Sequence, residues 1–485
     1  MLFNSYQFLF GFLPVVLVVS CFLAKWSTQA VKVWLIFASF FFYSWWRLSH
    51  LPVILGAMLF TYYIGIGMLR TSNPRKRKLL LIIGLVGDIG LLGYFKYFNF
   101  FVDTVNAVVR TSIHIDPILL ALAISFFIFQ KIAFLMDVYQ GKVQKVRFWD
   151  YCLFVAFFPQ LIAGPIVHYR ELMPQFQRPK AFDFQWENFS IGLTIFTMGL
   201  FKKVLIADSI APTANHAFEI LNYGIPTTAD AWIGVAAYGL QLYYDFSGYS
   251  DMAIGLARMF NILLPLNFNS PYKSESITEF WRRWHITLSH FLRDYIYIPL
   301  GGNRDGKWRQ FANLSLTMMI GGLWHGAGWT FVIWGVLHGT YLIINHAWMN
   351  SPLGRIKSQI LRVPAWLLTY VCILIGWAFF RAPTVSAAWK MLHGMFHAKH
   401  FALKALTPID LYCTAILLLA SLVLPNTQQL LARFHPALNF EEHPKAFWTR
   451  FLWRPGFSWG LVVALLLGLC ICGMARPSRF LYFQF

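Results

Sequence analysis

Charge is scarce in this sequence. Only 12% of its 485 residues are Asp, Glu, Lys or Arg, about half the share of a soluble domain, which excludes an ordinary water-soluble protein. Cysteine is sparse as well. The six, Cys21, Cys152, Cys372, Cys413, Cys470 and Cys472, lie mostly inside apolar runs and form no C-x-x-C pair, so a disulfide framework and redox chemistry are excluded. Met1–Gln7 contains no Lys or Arg and no small-residue cleavage site follows, so the first apolar run reads as an uncleaved helix. The sequence also lacks internal repeats, low-complexity tracts, flexible interdomain linkers and the period-2 alternation of a membrane β-barrel.

Apolar residues fill the space instead. They make up 58% of the chain, aromatics 18%, and the mean hydropathy is +0.55. The length could hold three soluble domains, but apolar runs recur from end to end, so residues 1–485 read as one integral membrane domain. The runs cover 8–24, 31–46, 51–69, 79–97, 117–136, 151–167, 189–210, 232–244, 311–347, 363–380, 411–424 and 457–474. Lipid cannot satisfy unpaired backbone groups, so helices are expected. The fold class is an all-α polytopic membrane protein with about 11–13 transmembrane helices plus re-entrant or interfacial helices. The run 311–347 is too long for one crossing and is expected to bend or re-enter. The polar stretches 172–187 and 434–445 read as connections within one domain.

The formal charge of +20 suggests nucleic acid. The Lys and Arg residues lie between apolar runs, not along one face, and that excludes it. Arg70, Arg75, Lys76, Arg77 and Lys78 form the clearest cluster. Such a loop marks the cytoplasmic side and attracts anionic lipid headgroups. Three spans precede it, which places the N-terminus outside.

Polar residues crowd between Asp245 and Trp348. At membrane depth these are costly and point to function. Read as one helix, 279–294 puts Trp281, His285 and Ser289 on one face at i, i+4 and i+8, with Arg282 and Arg293 three turns apart. The same segment also reads as an interfacial helix whose Arg and Trp side chains snorkel to headgroups. Further on, His325 stands in Gly321-Gly322-Leu323-Trp324-His325-Gly326. The flanking glycines permit a bend and close approach, and an imidazole deprived of water stays neutral and able to take a proton. That suits general-base removal of a hydroxyl proton, although a packing histidine bonded to a carbonyl fits too. His338 lies 13 residues on, roughly on the opposite face of one continuous helix, and need not share the site.

Three weaker patterns are set aside. Gly456-Phe457-Ser458-Trp459-Gly460 has nucleophile-elbow spacing but opens an apolar run. His393, His397 and His400 have helical spacing without a carboxylate or Cys beside them, so no metal site is expected. Asp88 and Asp137 lie in or beside apolar runs, yet no succession of such groups marks an ion path.

Together the motifs resemble the membrane-bound O-acyltransferase family. The resemblance is carried by Phe280-Trp281-Arg282-Arg283-Trp284-His285, Arg293-Asp294-Tyr295 and Gly322-Leu323-Trp324-His325-Gly326. It is strengthened by the run from Asp245 through Ser250 to Asp251, the run from Phe158 to Pro165, and the closing Phe480-Leu481-Tyr482-Phe483-Gln484-Phe485. It covers nearly the whole chain and is closest to the bacterial AlgI-like, alginate O-acetylation branch, with the teichoic-acid D-alanylation proteins more distant.

The resemblance implies a bacterial inner-membrane protein with its N-terminus in the periplasm, a catalytic core at approximately 150–350 and helices around a central funnel or tunnel, with His325 as the reactive histidine and His285 as the second characteristic one. His325 would deprotonate the acceptor or carry the acyl group. His285 would orient it, polarise the carbonyl or bind the acceptor. Trp281, Ser289, Arg293, Asp294 and Trp324 are further candidates for substrate contact and cavity shape. The resemblance also implies a cytoplasmic thioester donor, acetyl-CoA, with no resident cofactor. The outer partner would be an SGNH-hydrolase-like acetyltransferase or acetylation-complex protein supplied in trans, since the sequence holds no such soluble domain. The acceptor would be an exopolysaccharide such as alginate or cellulose. Arg304, Lys307 and Arg309 could meet donor phosphates, or serve as ordinary positive-inside charge. The rival classes are a transporter or flippase, which inverted repeats and intramembrane charge pairs would favour, and a scaffold for an acetylation complex. Neither feature is visible in the sequence.

Overall fold

The computed structural model describes residues 1–352, 354, 359–397, 402–440, 446–475 and 480–481. Outside these lie His400, Lys445 and the closing Tyr482, Phe483, Gln484 and Phe485. Among the described residues the regular structure is helical, with one isolated bridge between Pro265 and Leu438. The chain is an all-α multi-pass membrane protein. Among the described residues, five helical stretches are long and apolar enough to cross a bilayer: Gln7–Ala24, Leu48–Arg70, Pro74–Val109, Trp186–Asn222 and Gln359–Arg381. Pro408–Val423 and Phe457–Gly473 are shorter apolar helices.

Eight helices position the site. These are α1 (Pro74–Val109), α2 (Ile124–Tyr139), α3 (Thr228–Met259), α4 (Ile277–Arg283), α5 (Ile286–Leu292), α6 (Lys307–His325), α7 (Trp329–Asn350) and α8 (Arg362–Arg381). The basic loop ends where Asn73 caps α1, its side chain accepting from the amides of Arg75 and Lys76 at 2.9 and 3.3 Å. Arg77 then donates to the Val138 carbonyl at 2.6 Å, which fixes the end of α2 beside the start of α1. The other end of α2 lies near His50, whose ring nitrogen accepts from the Leu122 amide at 3.4 Å. His50 and Arg70 bracket the helix 51–70. The bundle therefore has two defined ends, one basic and one at His50.

The core is built around α3, which is buried along almost its whole length. Glycines allow its closest contact. A Cβ on Gly192 or Gly199 would stand 2.6 or 2.5 Å from the carbonyl oxygen of Gly255 or Gly248 on α3. Small residues at such a seam let two backbones meet, which is the main source of helix cohesion in lipid.

Several predicted runs differ from the observed elements. Residues 151–167 form no single crossing: Phe148–Ala156 stops at Phe157, Phe158–Leu161 follows, and the segment stays buried. The run 232–244 is the middle of the longer α3. The run 311–347 is α6 and α7, joined at Gly326–Gly328 as a tight hairpin, in line with the expected bend.

Intramembrane charge pairs, invisible in the sequence, are present. Lys131 meets Asp88 at 2.8 Å, Lys32 meets Asp150 at 2.6 Å, Lys203 meets Asp245 at 2.5 Å and Lys202 meets Asp251 at 2.7 Å. Each pair joins residues far apart in the chain, so no local pattern announces it. Burial in hydrocarbon forces such groups to find one another.

Candidate active site

The segment 279–294 is not one helix. It breaks between α4 and α5 at His285, whose backbone is left-handed (φ 42°, ψ 53°). The expected stack of Trp281, His285 and Ser289 on one face is therefore corrected. The break is held by the preceding strand-like segment: the Asn269 amide donates to Arg283 at 2.9 Å and the Ile286 amide to Asn267 at 3.0 Å. The Asn267 side chain then sets the ring. Its Oδ1 accepts from the Thr287 hydroxyl at 2.9 Å and lies 3.1 Å from His285 Nδ1, while its amide donates to Ser250 at 3.1 Å. An acceptor facing Nδ1 places the imidazole proton there and leaves Nε2 with its lone pair. Phe246 packs edge-on at 4.8 Å.

His325 is the last residue of α6 and is buried, with 4% exposure. Its ring lies 4.9 Å from Trp324, 5.1 Å from Trp334 and 5.2 Å from Phe380, and 6.3 Å from His285. The α6–α7 turn makes this box possible. A Cβ on Gly322 would meet the Phe331 carbonyl at 2.2 Å, and one on Gly335 the Met318 carbonyl at 2.4 Å. The same turn corrects the placement of His338. Because 325 and 338 belong to two helices, His338 joins the cluster: its ring is 4.7 Å from Trp334, and its Nδ1 accepts from Trp281 Nε1 at 3.3 Å.

Two cavities approach this cluster from different directions. The first, about 150 Å³, is lined by His325, Trp324, Lys96, Ser125, Ile162 and Ala163, and it ends at His50. The second, about 360 Å³, is lined by Trp281, Ser289, Arg282, His290, Arg293 and Met318. Its Arg293 end lies at the basic end of the bundle, because Tyr295 donates to Asp137 near the end of α2 at 2.9 Å. Trp281, Ser289 and Arg293 thus share one cavity, and Trp324 and His325 share the other. Asp294 is outside both linings and pairs with Arg293 at 2.6 Å. Arg304, Lys307 and Arg309 line neither, and Arg309 pairs with Asp305 at 3.5 Å. A third cavity of about 700 Å³, almost wholly apolar, lies on another side of Trp324 between α1, α2 and α6. The buried charge pairs of the core line none of the three.

Four polar residues at this centre escaped sequence reasoning: Lys96, Ser125, Asn267 and His338. Lys96 carried a signal, as a lysine inside the apolar run 79–97, which also holds Asp88. Asn267 carried none. Of the three spaced histidines, His393 and His397 stack with ring centres 4.0 Å apart, and His400 lies outside the described residues.

These features define a multi-pass helical membrane protein with a buried imidazole on the wall of one cavity, while Trp281 of the second cavity packs 5.7 Å from Trp334 of the same aromatic box. The chain belongs to the membrane-bound O-acyltransferase family, whose profile matches residues 94–351. It is similar to the peptidoglycan O-acetyltransferase of Helicobacter pylori, 43% identical over 422 residues, covering 81% of this chain and 80% of that one. It is 44% identical over 440 residues to the probable alginate O-acetylase AlgI of Azotobacter vinelandii, covering 87% and 84%. The Pseudomonas putida protein of the same name is 41% identical over 514 aligned positions, covering both chains fully. The chain is an O-acyltransferase of the AlgI-like branch.

Proposed function

We propose that this enzyme passes an acetyl group from cytoplasmic acetyl-CoA, across the bacterial inner membrane, towards O-acetylation of an exopolysaccharide such as alginate or cellulose. The observation that carries the reading is His325, buried in an aromatic box on the wall of the cavity that reaches His50, with Trp334 of that box 5.7 Å from Trp281 of the cavity lined by Arg282 and Arg293. The donor enters at the basic end, with its phosphates at the Arg282 and Arg293 guanidinium groups. The acceptor hydroxyl enters from the His50 end, which lies outside together with the N-terminus.

In the transfer, the His325 imidazole takes the hydroxyl proton as the oxygen attacks the thioester carbonyl. The carbon–sulfur bond breaks and the leaving thiolate receives the proton. In the two-step variant the imidazole itself holds the acetyl group between donor and acceptor. His285, oriented by Asn267, positions the acceptor. An SGNH-hydrolase-like acetyltransferase on the outer side completes transfer to the polymer, in keeping with the acetylation named in the relatives.

The buried charge pairs would suit a transporter, but their separation from the cavities favours a structural role. The test is radiolabelled acetyl-CoA supplied to the purified chain in vesicles. Thioester cleavage that disappears in His325→Ala, at normal abundance, is expected. An equally active His325→Ala protein overturns the reading.

A further inference from the structure

A helix end leaves its last carbonyls without partners inside the helix. Helix α6 ends at His325, and three consecutive carbonyls there are met by two consecutive side chains of α1. The Tyr97 hydroxyl donates to Leu323 at 2.7 Å. The Lys96 ammonium donates to the carbonyl oxygens of Trp324 and of His325, the latter at 3.2 Å. Its remaining hydrogen reaches Ser125 Oγ at 3.2 Å. An ammonium has three donors and no acceptor, so every one is engaged. Both side chains stand on a π-helical turn, Gly93–Tyr97, within an otherwise α-helical stretch. Such a turn inserts one extra residue and re-aims its side chains. The cation also sits where the peptide dipoles of α6 are negative. A buried lysine at membrane depth is costly, and here two of its three hydrogens are used at the end of the histidine-bearing helix.

We propose that Lys96 is a positioning residue for acyl transfer. With Tyr97 it clamps the Leu323–Trp324–His325 carbonyls and holds the His325 imidazole at the cavity wall in one orientation. The inference rests on His325 being the acid–base centre proposed above. Because its three hydrogens are committed, Lys96 acts through the His325 backbone and not on the acyl group. Loosening the clamp therefore slows the chemical step and leaves donor affinity alone.

The test compares Lys96→Met, Tyr97→Phe, Ser125→Ala and His325→Ala in the full chain, purified into vesicles with labelled acetyl-CoA. Misplacement of a reacting group typically costs about 100-fold in rate, so Lys96→Met is expected to lower kcat by that order with donor KM within about twofold. Thermal unfolding in detergent is expected to come earlier than in the parent, because the buried carbonyls lose their donor, so kcat is taken per folded protein. Tyr97→Phe and Ser125→Ala, each removing one contact, are expected to lower kcat by about 3–10-fold, an effect of about 1 kcal/mol. A parental kcat in Lys96→Met overturns the proposal, as does a raised KM at unchanged kcat. If Lys96→Met does not accumulate, parental kcat in both single-contact variants overturns it. Activity in His325→Ala instead removes the reading beneath it, and the two failures are thereby told apart.

Discussion

The rings of His285 and His325 face each other with centres 6.3 Å apart and planes inclined at 60°. They come from positions separated by 40 residues. Neither lies inside a helix: His285 occupies a left-handed break and His325 a helix end. Backbone interruptions in lipid are tolerated only where protein re-satisfies the freed groups. Asn267 does so on one side, and Lys96 with Tyr97 does so on the other. The site is assembled from two such repaired breaks.

The two histidines have different expected contributions. General acid–base catalysis supplies about 10²–10⁴-fold, so His325→Ala should lose at least that much acetyl transfer. His285→Gln keeps a hydrogen-bonding side chain, and a loss about tenfold smaller is expected on the scale of one hydrogen bond. Initial rates with labelled acetyl-CoA in vesicles check both. Equal losses would make the two rings one functional unit.

Asn267→Leu tests the break at His285. The substitution removes the acceptor shared by His285 Nδ1 and Thr287 and the donor to Ser250, all buried. Stranded buried polar groups cost about 1–3 kcal/mol each, so lower thermal stability in detergent and a reduced transfer rate are expected together. A variant with parental values in both measurements would show that the ring is oriented by other contacts.

The hairpin carrying His325 depends on close backbone contact. Gly335→Val would place a Cβ 2.4 Å from the Met318 carbonyl and 2.9 Å from Met319 Cα, both backbone atoms that cannot swing aside. Overpacking of this kind costs about 1–3 kcal/mol or more, so reduced membrane accumulation and activity are expected. Gly468→Ala, where nothing lies within 4 Å of the added carbon, is the control and should be silent. Protein gel quantitation and detergent melting curves give the readout.

The membrane class, the helical architecture and the family were legible because they depend on composition and contiguous motifs. The 311–347 run also announced its bend through Gly326 and Gly328. Harder to see was anything that depends on where a helix stops. His285 looked like a mid-helix residue because 279–294 has a consistent helical face; the left-handed break is set by Asn267, which lies 18 positions away. His338 was set aside for the same reason, as helical arithmetic across Gly326 counts through a turn. The charge pairs were hidden because the two partners of each lie on different helices, far apart in the chain. Lys96 and Lys131 could have been flagged, as lysines inside apolar runs.

The pair of Lys131 and Asp88 separates structure from transport. Lys131 is fully buried, and its ammonium lies 2.8 Å from Asp88 and 5.2 Å from the Phe127 ring centre; Thr61 donates to the carboxylate at 3.2 Å. Asp88→Asn leaves an ammonium without its counter-charge, and breaking a buried pair from one side costs about 3–5 kcal/mol, so a sharp fall in accumulation is expected. The double variant Asp88→Leu with Lys131→Met replaces the pair by hydrocarbon of similar size. Such replacements are often neutral or stabilising, so stability and acetyl transfer should both return. If the double variant folds at parental stability but transfers no acetyl group, the pair has a role in moving charge or substrate. The transporter reading would then regain its ground.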